Sequence, residues 1–316
     1  MFHVEHKGGV MLKVLELFGG IGAPRKALER LGINIEVVDY VEIDKYAVAS
    51  YNAIYNENFE TQDICKWNKD IEADLIFHGS PCQDFSIAGK QAGADEGSGT
   101  RSSLMYETLR IVEKINPKYV IWENVKNVLS KKHIHNFEKY LATLEQLGYN
   151  NYYQVLNAKD YGIPQNRERL FTISIRKNID NNNFMFPQKQ ELKLKLKDLL
   201  ENNVEDKYFL SDKQMKQIVK SHNQEVFFIK NNTKKRFLEA IEGDSVNLEH
   251  LNSKTRRGRV GKQVAQTLTT SCNQGVVVEV GDSIMLSYPN TSKNRIKKEM
   301  VRCITTQADL QGVFVD

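Results

Sequence analysis

A cysteine follows a proline in the turn Gly79-Ser80-Pro81-Cys82-Gln83, directly after the apolar segment Asp74-Leu75-Ile76-Phe77. A glutamate, Glu123, closes a later apolar run, and two arginines, Arg167 and Arg169, follow further along the chain. A thiolate can add to C6 of a cytosine ring, an acid at N3 favours the shift of charge to C5, and an arginine can hold the exocyclic O2. These residue types therefore predict covalent activation of a pyrimidine ring.

Each of these residues also has a plainer interpretation. Cys82 could be a buried structural thiol, because free cysteine is often a core residue. Glu123 could be a surface acid, although an unpaired charge at the end of an apolar run would be costly. The proline turn and the apolar runs favour the chemical interpretation, with Cys82 as the nucleophile.

A glycine-rich turn near the start of the chain predicts a nucleotide-binding loop. The segment Val14–Phe18 has the pattern of a buried strand, and glycines 19, 20 and 22 permit close approach of the backbone. Pro24 suits the first turn of the helix that follows. Glu42 comes about twenty residues after the loop, where a βαβ unit carries its ribose-binding carboxylate. Alone, this pattern fits a nicotinamide enzyme equally well, and the cysteine motif decides against one.

The positioning elements alternate along the first part of the chain. The predicted strands are 14–18, 36–41, 73–78, 118–123, 152–156 and 169–175. The predicted helices are 23–31, 45–56, 103–116 and 134–147. Such alternation predicts an α/β fold with a Rossmann-like, doubly wound, mostly parallel sheet. Cys82 and Glu123 then follow the carboxyl ends of strands, where such sheets bind ligands.

Taken together and in this order, the motifs resemble those of the DNA (cytosine-5) methyltransferases over most of residues 12–175. Phe18-Gly19-Gly20-Ile21-Gly22 is similar to the family's Phe-x-Gly-x-Gly loop, and Pro81-Cys82 to its catalytic dipeptide. Glu123-Asn124-Val125 and the run Gln165–Arg169 resemble two further hallmarks. The resemblance implies the S-adenosylmethionine-dependent methyltransferase fold and methylation of C5 of a cytosine in double-stranded DNA.

The resemblance also implies site residues. Arg169 would reach the pyrimidine O2 and Arg167 would support the active-site loop, although the two roles can be exchanged on sequence alone. Glu42 would bind the ribose hydroxyls, and Asp63 and Ile64 would meet the adenine. The implied S-adenosylmethionine contacts are Phe18, Gly20, Gly22, Glu42, Asp63, Ile64 and Pro81.

A flipped base is required before a thiolate can reach C6. The small-residue segment 89–99 follows the cysteine, and in the family the corresponding segment closes over DNA; the alternative is a solvated connector. Gln83 and Ser86 are the candidate DNA contacts on this side.

After residue 177 the composition changes, which predicts a second, mainly β domain. The resemblance implies that this region reads the DNA sequence. The predicted organisation is a flexible lead (1–11), a catalytic domain (12–177) and a recognition domain (178–316). The segments 253–278 and 292–315 form a partial repeat. We expect DNA contacts from Arg256, Arg257, Arg259 and Thr267. The alternative is a basic, solvated hairpin pair whose repeat is only β periodicity.

Composition sets wide limits on function. The 316 residues carry a formal net charge of +4, which permits nucleic-acid binding without arguing for it. The cysteines at 65, 82, 272 and 303 lack the spacing of a zinc site or a disulfide framework, as expected for a reducing cytoplasm. His3, Glu5 and His6 lie in a short polar lead that we interpret as disordered. We therefore expect no metal and no membrane span.

One departure from the family pattern leaves alternatives open. The family's closing helix and Gly-Asn segment are missing, so we expect a fragment, a partner chain that supplies them, or a defective enzyme. A non-catalytic DNA-binding homologue is one alternative function. RNA cytosine methylation is another, but the segment Leu170-Phe171-Thr172 lacks the cysteine of the RNA-directed members. A restriction-modification system or a phage-borne methyltransferase would suit the active enzyme.

Overall fold

The computed structural model describes the chain in several stretches. These are residues 11–81, 101–201, 219–220, 226–232, 234–248, 253, 255, 258–267, 274–278 and 301–304. The chain forms two compact units: unit 1 comprises Met1–Leu156 and Glu168–Gln188, and unit 2 comprises Asn157–Arg167 and Lys189–Asp316. The functional division into a catalytic and a recognition domain at residue 177 stays a prediction.

The elements of the described residues are numbered in chain order. The strands are β1 (Leu12–Leu17), β2 (Ile35–Val41), β3 (Leu75–His78), β4 (Tyr119–Val125), β5 (Tyr149–Asn157), β6 (Gln165–Asn166), β7 (Glu168–Arg176), β8 (Val219–Lys220), β9 (Phe227–Lys230), β10 (Phe237–Ala240), β11 (Ser245–Asn247), β12 (Val260–Gly261), β13 (Ala265–Gln266), β14 (Gln274–Val277) and β15 (Val301–Ile304). The helices are α1 (Ala23–Arg30), α2 (Lys45–Tyr55), α3 (Met105–Ile115) and α4 (Ile134–Gln146).

A mixed, mostly parallel sheet with the strand order β2-β1-β3-β4-β7-β5 forms the centre of unit 1. β1 pairs in parallel with β2 and β3, and β3 pairs in parallel with β4. β7 runs antiparallel to β4. The predicted fold class is confirmed, and the predicted strands and helices of this part occur with bounds shifted by a few residues. The predicted strand 118–123 ends at Glu123, whereas β4 continues to Val125, so Glu123 lies within the strand and not at its carboxyl end.

Local signals in the sequence set the ends of the helices. Pro24 occupies the first turn of α1, where its missing N–H costs nothing. The Asp44 carboxylate caps α2 by accepting from the amides of Tyr46 (2.8 Å) and Ala47 (3.2 Å). Asn116 ends α3 in the left-handed conformation (φ 51°). These caps place α2 and α3 against the sheet at fixed points of the sequence.

The main core of unit 1 lies between the sheet and helices α3 and α4. Its fully buried members include Leu15, Ile76, Trp122, Ile111 and Tyr140. Each such side chain stabilises the fold by roughly 1.5–3 kcal/mol relative to leaving it exposed. A smaller cluster of Tyr40, Val48 and Tyr51 joins β2 to α2.

Unit 2 is mainly β in its described residues. It contains the antiparallel strands β10-β9-β8, the antiparallel set β12-β11-β14-β15, and the parallel pair β13-β6. Phe227, Ile229, Ala240 and Val246 form part of its core. The first copy of the predicted repeat contains β14, whereas the second copy lies outside the described residues apart from the backbone of 301–304.

No helix within the described stretches is long and apolar enough to span a membrane.

Candidate active site

The backbone that leads to Cys82 is anchored to the neighbouring strand. The Trp122 indole donates from Nε1 to Ser80 Oγ (3.0 Å), and the Asn124 amide donates from Nδ2 to the Ser80 carbonyl (3.1 Å). Both donors lie on β4, and their side chains are almost fully buried. The turn is thus held at Ser80 through both the side-chain hydroxyl and the main-chain carbonyl, directly before Pro81. Cys82, Gln83 and Ser86 lie outside the described residues.

A buried, neutral histidine packs against Trp122, one of the two residues that hold the turn. His78, the last residue of β3, forms a 2.8 Å hydrogen bond through Nε2 with the Tyr140 hydroxyl. Its ring is stacked parallel to Trp122, with centroids 5.7 Å apart. Complete burial lowers the pKa of His78 to about 3. The ring is therefore uncharged near neutral pH and acts as a packing element.

Glu123 and Arg169 form an ion pair across the β4–β7 ladder. Arg169 Nε lies 2.8 Å from Glu123 Oε1, and the two side chains are 17% and 27% exposed. In the register of the two strands, Arg169 lies opposite Val125, so Glu123 is its diagonal neighbour on the same face. The pair explains how an acid can end an apolar run, and it leaves both side chains accessible to a ligand.

Arg167 belongs to the other compact unit. Its amide donates to Asn157 Oδ1 (3.0 Å), and its carbonyl accepts from the Ala158 amide (3.1 Å). It lies between β6 and β7, outside either strand. Its predicted role beside Glu123 therefore stays a prediction.

The glycine loop, residues Phe18–Gly22, follows β1 with an unusual backbone. Phe18, Gly20 and Gly22 all adopt positive φ angles of 54°, 55° and 77°. Glycine takes this conformation at little cost, but an aromatic residue there is strained, typically by about 1–3 kcal/mol. Such strain at Phe18 is typical of a binding loop.

Glu42 is oriented by the amides around it. Its Oε1 accepts from the amides of Ile43 (2.8 Å) and Asp44 (2.9 Å), and its Oε2 accepts from the amide of Gly20 (3.2 Å). The carboxylate thus joins the glycine loop to the start of α2. An ionised carboxylate is an acceptor only, so it suits the hydroxyl donors of a ribose.

The segment that carries Asp63 and Ile64 is fixed to β2 through Asp39. The buried Asp39 carboxylate accepts from Trp67 Nε1 (2.7 Å) and Gln62 Nε2 (2.8 Å), and it pairs with Lys69 Nζ (2.9 Å). The Gln62 amide donates to the carbonyl of Glu42 (2.8 Å), which places the segment beside that residue.

The two predicted adenine contacts differ in their accessibility. Asp63 is half-buried and accepts from the Cys65 amide (3.0 Å). The Ile64 side chain is only 5% exposed and packs in the main core. We therefore propose no side-chain contact with a cofactor for Ile64.

Two of the predicted DNA contacts lie in the described part of unit 2. Thr267 is next to β13, and its hydroxyl donates to the carbonyl of Asn166 (2.8 Å). Arg259 is only 1% exposed, and its Nη1 donates to the Asn247 carbonyl (3.3 Å). This burial argues against a direct DNA contact from Arg259 and indicates a structural role. Arg256 and Arg257 lie outside the described residues.

Sequence reasoning missed the residues that hold the site together. Ser80 and Asn124 lie in the predicted motifs and Trp122 directly precedes one of them, but a hydrogen bond between two distant segments leaves no local signal. Asp39 gave a weak signal as an acid within an apolar strand. Among the described residues, no group of three or more His, Cys, Asp or Glu side chains could hold a metal ion.

The mostly parallel sheet, with a glycine loop after its first strand and an acid after its second, defines a Rossmann-like nucleotide-binding fold. A family model for C-5 cytosine-specific DNA methylase matches residues 12–312. The chain belongs to this family of DNA methyltransferases, which confirms the predicted enzyme class. Methyltransferases generally use S-adenosylmethionine, and a glycine loop followed by a carboxylate is an arrangement that would fit its nucleoside.

Two curated relatives illustrate the similarity. The type II methyltransferase M2.ScrFI of Lactococcus lactis subsp. cremoris is 38% identical over 260 residues, which cover 65% of this chain and 72% of the relative. The orphan methyltransferase M.Rho11sI of Bacillus phage rho11s is 31% identical over 319 residues. That match covers 88% of this chain but 62% of the phage protein.

A solved structure supports the fold. The chain is similar to a mutant of Spodoptera frugiperda DNMT2, with a TM-score of 0.53 and 21% identity. The match covers 79% of this chain and 73% of the other. The sequence left open a partner chain that supplies the family's closing helix and Gly-Asn segment. The comparisons do not support such a second chain, and we do not propose one.

Proposed function

We propose that this chain methylates C5 of a cytosine within a specific sequence of double-stranded DNA. The observation that carries the proposal is the Glu123–Arg169 ion pair at 2.8 Å on β4 and β7, with the anchored Ser80–Pro81 turn held by the same strand β4. An acid that is accessible and already oriented by a cation suits recognition of the N3 edge of cytosine. Family membership supports the DNA substrate.

In the proposed mechanism, the cytosine is flipped out of the duplex and the Cys82 thiolate forms a bond to C6. Glu123 in its protonated form donates its proton to N3, and Arg169 orients Glu123 and reaches O2, so that electron density moves to C5. S-adenosylmethionine, when bound, supplies the methyl group that C5 takes. The C5 proton then leaves to water, the C5–C6 double bond forms again, and the bond between sulfur and C6 breaks, which frees the Cys82 thiolate and returns the N3 proton to Glu123. The products are 5-methylcytosine and S-adenosylhomocysteine.

The cofactor side of the proposal uses the loop and the acids around it. Phe18, Gly20 and Gly22 would lie against the cofactor, and Glu42 would accept from the ribose hydroxyls. Asp63 and Pro81 complete the proposed contacts. The support is the fixed orientation of Glu42, whose carboxylate is held by three backbone amides.

The DNA side of the proposal places sequence recognition in unit 2. Arg256, Arg257 and Thr267 would contact the duplex, while Gln83 and Ser86 would lie near the flipped base, and Arg167 would support the loop that carries Cys82. The names of the relatives support a setting in restriction-modification or in a phage. Either setting places the enzyme in a bacterial cytoplasm.

Bisulfite sequencing of DNA from cells that express the chain tests the proposal. We expect methylated cytosines in one sequence context, and none with Cys82→Ala. DNA without methylation from the unaltered chain, while that chain still binds DNA, would favour the alternative of a non-catalytic binding protein. Methylation confined to RNA would support the other alternative.

A further inference from the structure

Three tyrosine rings from β2 and α2 pack directly against the glycine loop. Tyr40 and Tyr51 are stacked with centroids 4.0 Å apart, and Tyr55 follows at 4.7 Å from Tyr51. A Cβ atom added at Gly19 would come within 2.6 Å of the Tyr40 ring. One added at Gly22 would come within 2.5 Å of the Tyr55 ring. The loop is therefore shaped by contact with these rings.

Two of the tyrosines fix carbonyl groups of the loop. The Tyr40 hydroxyl donates to the carbonyl of Gly20 (2.6 Å), and the Tyr55 hydroxyl donates to the carbonyl of Gly22 (2.6 Å). In a trans peptide the N–H points opposite to the C=O. These bonds therefore direct the N–H groups of Ile21 and Ala23 away from the tyrosines.

The Ile21 side chain is 53% exposed, so this part of the loop lies at the protein surface, where a ligand can approach. Backbone N–H groups in such a loop are donors for the polar groups of a cofactor. The orientation of both donors thus depends on two phenol hydroxyls.

The third tyrosine, Tyr51, is held by buried charges. Its hydroxyl donates to Glu16 Oε2 (2.5 Å) and accepts from Arg25 Nη1 (3.1 Å). Arg25 also pairs with Glu57 (2.9 Å) and lies over the Tyr55 ring at 4.2 Å. Burial raises the pKa of Tyr55 to about 12, so its hydroxyl remains a donor at neutral pH. The tyrosine stack is thus rigidly placed.

We propose that Tyr40 and Tyr55 are positioning residues for S-adenosylmethionine, acting through the carbonyls of Gly20 and Gly22. The inference rests on the proposed function, because it takes the cofactor from there. It goes beyond that function by assigning cofactor affinity to side chains on β2 and α2 that act through the backbone of the loop.

The test is calorimetric titration of the full chain with S-adenosylhomocysteine in the absence of DNA. Tyr40→Phe and Tyr55→Phe keep the rings and remove one hydrogen bond each, so we expect Kd to rise roughly five-fold for each variant. Tyr46→Phe is the matched control, since this α2 tyrosine is 72% exposed, and it should leave Kd unchanged. In methylation assays the KM for S-adenosylmethionine should rise while kcat and the KM for DNA stay the same.

The outcomes distinguish a failure of the tyrosine inference from a failure of the proposed methyltransferase function. If the unaltered chain did not bind S-adenosylhomocysteine, the proposed function would fail. If it bound and both phenylalanine variants matched it, only the inference would be wrong. The thermal midpoint should fall by less than about 5 °C. A larger fall, with DNA affinity lost in parallel, would assign the tyrosines a general structural role and would also overturn the inference.

Discussion

Arg169 Nε lies 2.8 Å from Glu123 Oε1, across two antiparallel strands of a sheet that is otherwise mostly parallel. The arginine thus orients the acid on one face of the sheet, and in the proposed mechanism the flipped base approaches that acid. The first prediction concerns this pair. Glu123→Gln should lower the methylation rate by about 10²- to 10⁴-fold, because the acid that favours charge at C5 is lost. Stability should change by less than about 1 kcal/mol, since the pair is partly exposed.

Initial-rate assays with a radiolabelled methyl donor, together with urea unfolding, measure both effects. Glu168→Gln is the matched control, because Glu168 is the adjacent acid on β7 and pairs with Lys126 at 2.9 Å on the surface. Its rate should remain within about twofold of the unaltered chain. Equal losses in both variants would show that negative charge near Arg169 in general, and not the Glu123 carboxylate in particular, sets the methylation rate.

The second prediction concerns the Trp122–Ser80 hydrogen bond. Ser80→Ala should destabilise the fold by about 1–3 kcal/mol, because the buried indole N–H loses its acceptor. It should also lower kcat, because the turn that carries Cys82 is less firmly held. A double-mutant cycle with Trp122→Phe measures the coupling in unfolding experiments. Strictly additive effects would show that the bond does not couple the two strands.

The third prediction concerns pH. The pKa of buried His78 is about 3 in the folded chain, against an ordinary value of 6.5, so protons bind preferentially to the unfolded state. The contribution of neutral His78 to the free energy of unfolding is therefore fully present above pH 6.5. It is lost as the pH decreases from 6.5 towards 3, by up to about 1.4 kcal/mol per pH unit. His78→Gln should flatten this dependence in urea unfolding at pH 7, 6, 5 and 4. The exposed His135→Gln should follow the unaltered chain.

The fourth prediction concerns Asp39. Asp39→Asn should destabilise the fold by about 1–3 kcal/mol, because the amide cannot accept from Trp67, Gln62 and Lys69 together. It should also weaken binding of S-adenosylhomocysteine, since the affected segment carries Asp63. The exposed Asp70→Asn on the same segment provides the control for both measurements. Unchanged binding with reduced stability would contradict a role for the segment in the cofactor site.

The fifth prediction separates the arginines of unit 2. Arg259→Ala should reduce stability, because a fully buried side chain and its bond to the Asn247 carbonyl are lost. Arg256→Ala and Arg257→Ala should instead weaken DNA binding without a loss of stability, and each should reduce the salt slope by about 1. Fluorescence anisotropy at several salt concentrations and thermal unfolding provide the two measurements. A salt slope altered only by Arg259→Ala would reverse this assignment.

Much of the fold of unit 1 could be predicted because its signals are local. The strand at Val14, the glycine turn and the acid at Glu42 each follow from short patterns of burial and backbone geometry. The antiparallel direction of β7 could not be predicted in this way, because it depends on how distant strands pair. The same reason explains why β4 extends past Glu123, since its last residues, Asn124 and Val125, pair with β7.

The candidate site could be predicted only in part, because residue chemistry is a local signal whereas burial and distant contacts are not. Residue chemistry singled out Glu123 and Arg169, and the structure brings them together. Arg259 shows the limit of that reasoning, since a basic cluster predicts a charged surface but not which of its members packs inward. The phenol hydroxyls of Tyr40 and Tyr55 gave no signal, because their partners are backbone carbonyls that any sequence possesses.

The antiparallel pairing of β4 with β7 also has a consequence for synthesis on the ribosome. A growing chain that has just released Glu123 contains the acid but not its cation, since Arg169 is translated later. Contacts this distant in sequence form late, because the intervening chain must first be ordered. The acid therefore gains its oriented form only when β7 joins the sheet, so a partly synthesised chain carries Glu123 without the cation that orients it.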